Sequence, residues 1–265
     1  MQRINHHIKE NQFQQVYLLY GEERYLKRQY TDKLKKALAG DDTMNVHFYE
    51  GKDVPVTEII DLAETMPFLA QRRVIFLSDS GLFKSGGDQM AEYLKSPNET
   101  TYFVFTESEV DKRSKLFKTV STNGCAVDFT PQDEATLTKW VATLLSKEGM
   151  KVTQATVLHF LSKTGTDMEN IQMELEKLIS YCMGRDVVTN ADVDAICTTR
   201  LQDRIFDMTE AVARRQTTKA MNLYYDLLAL KVQPLQILAM LSRQYNLIYQ
   251  AKELKKRGIP DREIA

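Results

Sequence analysis

"VYLLYGEERYLKRQY", residues 16–30, decides the fold. Val16 to Tyr20 is an unbroken apolar and aromatic run of strand length. Gly21 interrupts it, and a charged segment of helical character follows. A strand, a glycine and a helix in that order open many nucleotide-binding α/β modules. A phosphate loop at that junction needs several glycines, so that consecutive backbone N–H groups converge on the phosphates. It also needs a Lys for the terminal phosphates and a Ser or Thr for magnesium. This junction has Gly21 alone, then Glu22 and Glu23. Two carboxylates suit the positive end of a helix but repel a phosphate placed there. Lys27 lacks the flanking Gly and Ser/Thr. The stretch therefore predicts a nucleotide-binding scaffold without its phosphate grip.

Working outward, further strand-like runs occur at "VHFYE" (46–50), "VIFLS" (74–78), "TYFVFT" (101–106) and "AVDFT" (126–130). Helical segments lie between them, at Glu23–Leu38, Val56–Met66, Asp88–Leu94 and Lys112–Val120. Strands alternating with helices imply a parallel, doubly wound sheet with right-handed crossovers. The third strand should deliver an Asp and then a Glu to a metal, and it delivers Asp79 and Ser80. An isolated acid at a strand end is more commonly a solvated turn residue.

After Phe129 the strands stop. "TPQDEATLTKWVATLLSKEG" predicts a helix with Thr130 as N-cap, Pro131 at the first helical position and Gly149 after the last turn. Leu137, Trp140, Val141, Leu144 and Leu145 form its apolar stripe. Two more amphipathic segments follow, the second with Ile171, Leu175, Leu178, Ile179 and Cys182 on one face. Thr189 and Asp192 have capping-box spacing for a fourth helix. From Asp203 onward three more amphipathic helices are expected, the last opened by Pro234. The expected domains are 1–130 (α/β), 131–202 (small and helical) and 203–265 (helical). Ile264 and Ala265 read as the start of a helix whose remainder would lie on residues beyond this sequence.

Composition narrows the function. The 265 residues are 43% hydrophobic and 27% charged, an ordinary globular balance. A net charge of −1 argues against attraction of the whole protein to nucleic acid or membrane. No apolar run approaches bilayer length, and "MQRINHHIKENQFQQ" lacks the apolar core of a secretory signal. Cys125, Cys182 and Cys197 are odd in number and widely spaced, which fits free thiols in a cytoplasmic protein. His6, His7, His47 and His159 have no metal-ligand spacing, and no nucleophile motif accompanies them. No catalytic residue, metal or cofactor is expected. Two segments mix basic and aromatic residues. "DKRSKLFK" (111–118) carries Lys112, Arg113, Lys115 and Lys118, and "RQYNLIYQAKELKKRG" (243–258) carries Tyr245 and Tyr249. Both suit a nucleic-acid-facing surface but read more simply as solvated faces.

The second informative stretch is "AETMPFLAQRRVIFL" (63–77). Pro67 disfavours helix at Met66, so Phe68 and Leu69 fall in the connection before the third strand. Helix-to-strand connections lie at the amino ends of parallel strands, opposite the edge where nucleotides bind. Two readings stand. Phe68 and Leu69 fold under the sheet as a core cap, or they project as a plug for a partner's apolar pocket. Burial there would stabilise a complex by about 1.5–3 kcal/mol per side chain.

"VYLLYGEERYL", "ETMPFLAQRRVIFL", "DKRSKLFK" and "TGTDMENIQMELEKLISY" (164–181) together resemble the delta subunit of the bacterial DNA polymerase III clamp loader. The resemblance covers nearly the whole chain. It implies an AAA+-like five-stranded parallel sheet module, a small helical lid and a helical collar that continues past residue 265. It also implies a cytoplasmic, non-catalytic subunit of the DNA polymerase III holoenzyme. Such a subunit binds and opens the sliding clamp for loading onto primed DNA, within a hetero-pentamer of clamp-loader subunits. ATP-binding relatives use an Arg in the lid turn that here reads "GTDM", with Met168 at that position. They also use a Ser-Arg-Cys motif, which is absent. By position, the family's clamp contact falls on Phe68 and Leu69, with Met66 and Pro67 beside them. The alternatives are a degenerate AAA+ ATPase and a helical nucleic-acid-binding module.

Overall fold

Side-chain alternation along the first strand sets the layering. In β1 (Val16–Tyr20), Val16 and Leu18 point to one face and Tyr17 and Leu19 to the other. All four are buried, so both faces of the sheet are covered. A computed structural model of the chain describes residues 1–197, 201–229 and 232–257. The chain divides after Leu137 into two compact units.

The first unit begins with α1 (Gln2–Glu10), then β1, α2 (Arg24–Ala39), β2 (Val46–Glu50), α3 (Val56–Glu64) and β3 (Arg73–Ser78). It continues with α4 (Asp88–Tyr93), β4 (Thr101–Glu107), α5 (Lys115–Asn123) and β5 (Cys125–Asp128). The five strands are parallel in the order β2-β3-β4-β1-β5. Register brings Leu18 beside Phe105 and Phe105 beside Leu77, forming one apolar layer across the sheet. That layer packs with Ile59, Phe83, Met90, Leu116 and Val120 from the α3–α5 side.

Several elements of this unit differ from expectation. Helix α1 was not expected, because its inner face carries only two apolar residues, the buried Ile4 and the partly buried Ile8. Its His7 ring meets the buried Tyr17 hydroxyl through Nδ1 at 3.1 Å, whereas His6 is exposed. Burial pushes the Tyr17 hydroxyl up to about 12. Helix α5 starts at Lys115 rather than Lys112, because Ser114 caps it by accepting from the Phe117 N–H. Helix α3 stops at Glu64, with Thr65 already extended, two residues short of the expected Met66.

Among the described residues the second unit is helical apart from an isolated bridge between Lys151 and Val187. Helix α6 (Glu134–Lys147), which spans the division between the units, starts later than Thr130 and Pro131 imply. The Asp133 carboxylate accepts from the Thr136 N–H at 2.8 Å, and Asp is the stronger cap. Leu137, Val141 and Leu145 are its buried stripe. Then come α7 (Gln154–Thr164), α8 (Met168–Tyr181) and α9 (Asn190–Ile196). The Thr189–Asp192 capping box forms in full. Helices α10 (Leu201–Ala213), α11 (Thr217–Ala229) and α12 (Pro234–Lys256) enclose a core containing Met208, Leu227 and Ile237. Pro234 opens α12 as expected. Ile264 and Ala265 lie outside the described residues. Among the described residues no helix is long and apolar enough to cross a membrane.

Candidate functional site: an apolar corner held by buried polar side chains

The connection from α3 to β3 runs at the amino edge of the sheet. It does not tuck under the core. Met66 is 77% exposed, Phe68 58% and Leu69 92%, with Pro67 half-buried between them. The core-cap reading of Phe68 and Leu69 is thereby replaced. Isolated exposed apolar residues are ordinary, but three within four residues at one tip form a patch.

Two buried polar side chains hold the backbone of this tip. Arg73, 6% exposed, opens β3 and turns back over the end of α3. Its Nη1 donates to the carbonyls of Leu62 and Thr65, each at 2.6 Å, and to the Thr65 hydroxyl. Its Nη2 donates to the Met66 carbonyl at 3.2 Å. The last carbonyls of a helix lack intrahelical donors, and a cation there also suits the helix dipole. Arg73 thus satisfies carbonyls that the end of α3 leaves open, beside Pro67, which disfavours its continuation. Asn45, 2% exposed, lies just before β2. It accepts from the Phe68 N–H at 2.7 Å and donates to the Phe68 carbonyl at 2.9 Å. Leu69, the next residue, has φ +50.

The carboxyl edge of the sheet, where the sequence lacks a phosphate grip, is built differently. Gly21 has φ +115, and a Cβ there would lie 2.5 Å from the Phe129 carbonyl oxygen. The Glu23 N–H bonds that same oxygen at 3.0 Å. The Glu23 carboxylate accepts from the Tyr25 N–H at 3.1 Å, so it caps α2 where a phosphate would otherwise sit. Lys27 is buried and donates to the Glu107 carbonyl at 3.0 Å. Loss of water at this site lowers its ammonium pKa. The Glu107 carboxylate turns to Ser80 and Gly81, and burial raises its pKa. Asp79 accepts from the Ser108 N–H at 3.0 Å and hydroxyl at 2.8 Å. An open cleft of about 420 Å³ remains beside these residues, bordered by Arg24, Arg28, Asp32 and Asp79.

The basic residues of the 111–118 segment are largely matched by acids. Lys112 reaches Asp128 at 3.2 Å, Arg113 reaches Asp111 at 3.1 Å, and Lys115 reaches Asp88 at 3.6 Å. Tyr245 and Tyr249 are exposed on α12, where Lys256 pairs with Glu253. Met168 is buried as the first residue of α8. Asn45 and Arg73 were missed by the sequence reading. "DDTMNV" and "QRRV" offer only a polar residue next to a strand, and burial separates Arg73 from its neighbour Arg72.

Comparison with known proteins bears on this geometry. A family model described as "DNA polymerase III, delta subunit" matches residues 17–130. A second, "DNA polymerase III delta subunit, C-terminal domain", matches residues 202–265. The Bacillus subtilis protein named DNA polymerase III subunit delta is 24% identical over 272 aligned residues, covering 97% of this chain and 78% of the relative. A solved structure described as the Bacillus subtilis DNA clamp loader delta protein superposes with a TM-score of 0.78 at 23% identity. That match covers 99% of this chain and 81% of the other, and it shows a shared fold.

Proposed function

We propose, from the premise that the chain belongs to the DNA polymerase III delta-subunit family, that it is a non-catalytic clamp-loader subunit that binds and opens the sliding clamp. The observation that carries this reading is the exposed corner at Met66, Pro67, Phe68 and Leu69, held from behind by Arg73 and Asn45. Phe68 and Leu69 enter an apolar pocket on the clamp. Central aromatic and aliphatic anchors of this kind dominate interface energies. The α/β module, residues 1–130, presents the corner rigidly. Residues 131–202 act as the lid, and 203–265 contribute to the collar that joins the other subunits in a hetero-pentamer. Primed DNA is engaged by the assembled loader in the cytoplasm, and ATP turnover is the work of neighbouring subunits. Glu23 on the α2 N-terminus and Lys27 engaged with Glu107 support that division of labour.

The test is a titration of the isolated chain with purified sliding clamp, with and without ATP and magnesium, beside a fluorescent-ATP titration. Clamp binding of equal affinity in both conditions, with no saturable nucleotide binding, is expected. Tight nucleotide binding by the isolated chain would favour a degenerate ATPase instead.

A further inference from the structure

We infer that Asn45 is the positioning residue of the apolar corner: its carboxamide grips Phe68 at both backbone groups, so the corner meets its partner already formed. This rests on the docking reading above and adds the device that prepares the surface. Asn45 and Phe68 are 23 residues apart and come from different connections. One side chain satisfies the Phe68 N–H at 2.7 Å and carbonyl at 2.9 Å, as a neighbouring strand would. A buried two-point grip fixes the peptide planes on both sides of Phe68, and with them the directions of its neighbours' side chains.

The grip is itself oriented. The Asn45 Nδ2 also donates to the Asp42 carboxylate at 2.7 Å. A carboxylate only accepts, so the amide cannot flip without losing this bond. The other Asp42 oxygen accepts from the Met44 N–H at 2.8 Å and the Asn45 N–H at 3.2 Å. The Asn45 hydrogen bond keeps the Asp42 carboxyl below its ordinary range, so this acceptor is ionised at neutral pH. Asp42 therefore sets Asn45, and Asn45 sets Phe68.

Leu69 is the second observation. A leucine at φ +50 takes a backbone state that glycine or asparagine adopts with less strain, and its side chain is 92% exposed. Neither the backbone nor the side chain gains anything in the isolated chain. Strain of this kind persists only where surrounding structure over-determines it, and it concentrates at ligand-binding segments. The contacts that fix the chain leading into Leu69 are the Asn45 bonds to Phe68, the residue before it, and the Arg73 bonds to Thr65 and Met66. A preformed loop avoids the ordering cost that a flexible one meets on binding. Met44 is also exposed, one residue from Asn45, and places a fourth apolar side chain at the same edge of the sheet.

The experiment uses the full chain with Asn45→Ala, alone and combined with Phe68→Ala/Leu69→Ala. It reads amide hydrogen exchange at Phe68, and affinity for the sliding clamp. For Asn45→Ala we expect exchange at Phe68 at least about tenfold faster, with the β3 amides unchanged, since only a local opening is made easier. We expect clamp affinity to fall about tenfold, and no further fall when Asn45→Ala is added to the Phe68/Leu69 variant. Unchanged exchange at Phe68 overturns the positioning role, as does a loss of affinity that persists without the two anchors. Unchanged affinity of the Phe68/Leu69 variant overturns the docking reading and the positioning role with it, whatever the exchange shows. If Asn45→Ala does not fold, Asn45→Asp, which keeps the acceptor and loses the donor, is read in its place with the same criteria.

Discussion

Replacing Arg73 with methionine isolates the contribution of the guanidinium at the base of the corner. Methionine approximates the aliphatic stem, so packing is largely kept and the donors are lost. Leu62 O retains partners, because the Thr65 hydroxyl donates to it at 2.7 Å and the Thr65 N–H at 3.1 Å. Thr65 O and Met66 O lose a charged donor. A hydrogen bond to a charged group contributes about 1.5–3 kcal/mol. Thr65 and Met66 are exposed residues, and the low end of that range gives about 3 kcal/mol for the two. Loss of a cation at the α3 C-terminus adds about 0.5 kcal/mol. Against this, the Arg73 Nε is buried without a hydrogen-bond partner among the described residues, and removing it returns about 1 kcal/mol. The net expectation is a destabilisation of about 2–3 kcal/mol. Urea denaturation followed by far-UV circular dichroism measures it, and Arg73→Lys should fall between the two because one ammonium cannot span these acceptors. A loss under about 0.5 kcal/mol for Arg73→Met would refute the reasoning and reduce Arg73 to a surface-like charge.

Three further outcomes follow from the same geometry. Gly21→Ala forces a Cβ to 2.5 Å from the Phe129 carbonyl at φ +115; it should cost about 3 kcal/mol in denaturant melts, and a neutral effect would mean the turn is not fixed as described. Glu107→Gln should alter the pH profile of thermal stability. Burial raises the folded-state pKa of Glu107 above its ordinary 4.5, so the folded protein binds the extra proton and the wild type loses stability as pH rises from there through the raised value. The melting temperature of Glu107→Gln should therefore gain on the wild type across that interval, and a flat or opposite difference would contradict the burial argument. Thr189→Ala breaks the capping box at the start of α9 and should cost about 1 kcal/mol; a melting temperature equal to the wild type's would show that the Arg185–Asp192 pair at 2.7 Å carries the helix start alone.

The parallel sheet was legible because its strands are short apolar and aromatic runs bounded by breakers, as strands buried on both faces are. Helices α8 and α9 were legible from stripe and cap. Helix α1 was not, because only Ile4 and Ile8 mark its inner face, too short a run to establish a period. The start of α6 was misplaced because Thr130 followed by Pro131 imitates a helix start, while the Asp133 carboxylate makes the bond. At the corner, sequence gave the position of Phe68 and Leu69 but left their direction open. Direction is decided by Asn45, which lies in another segment, and by Arg73 a few residues on, both of which read in the sequence only as polar residues beside strands. Long-range side-chain-to-backbone bonds of this kind have no local pattern, since the 23-residue separation of Asn45 and Phe68 has no helical or strand period behind it.

The most direct measurement is the equilibrium affinity of the full chain for purified sliding clamp, wild type against Phe68→Ala/Leu69→Ala, with thermal melts of both. Two apolar anchors leaving a pocket cost about 3 kcal/mol or more, a weakening of over about a hundredfold. The melting temperature should not fall, because both side chains project from the fold. An affinity within about threefold of wild type, under 1 kcal/mol, or a variant that unfolds would contradict the docking of this corner on the ring.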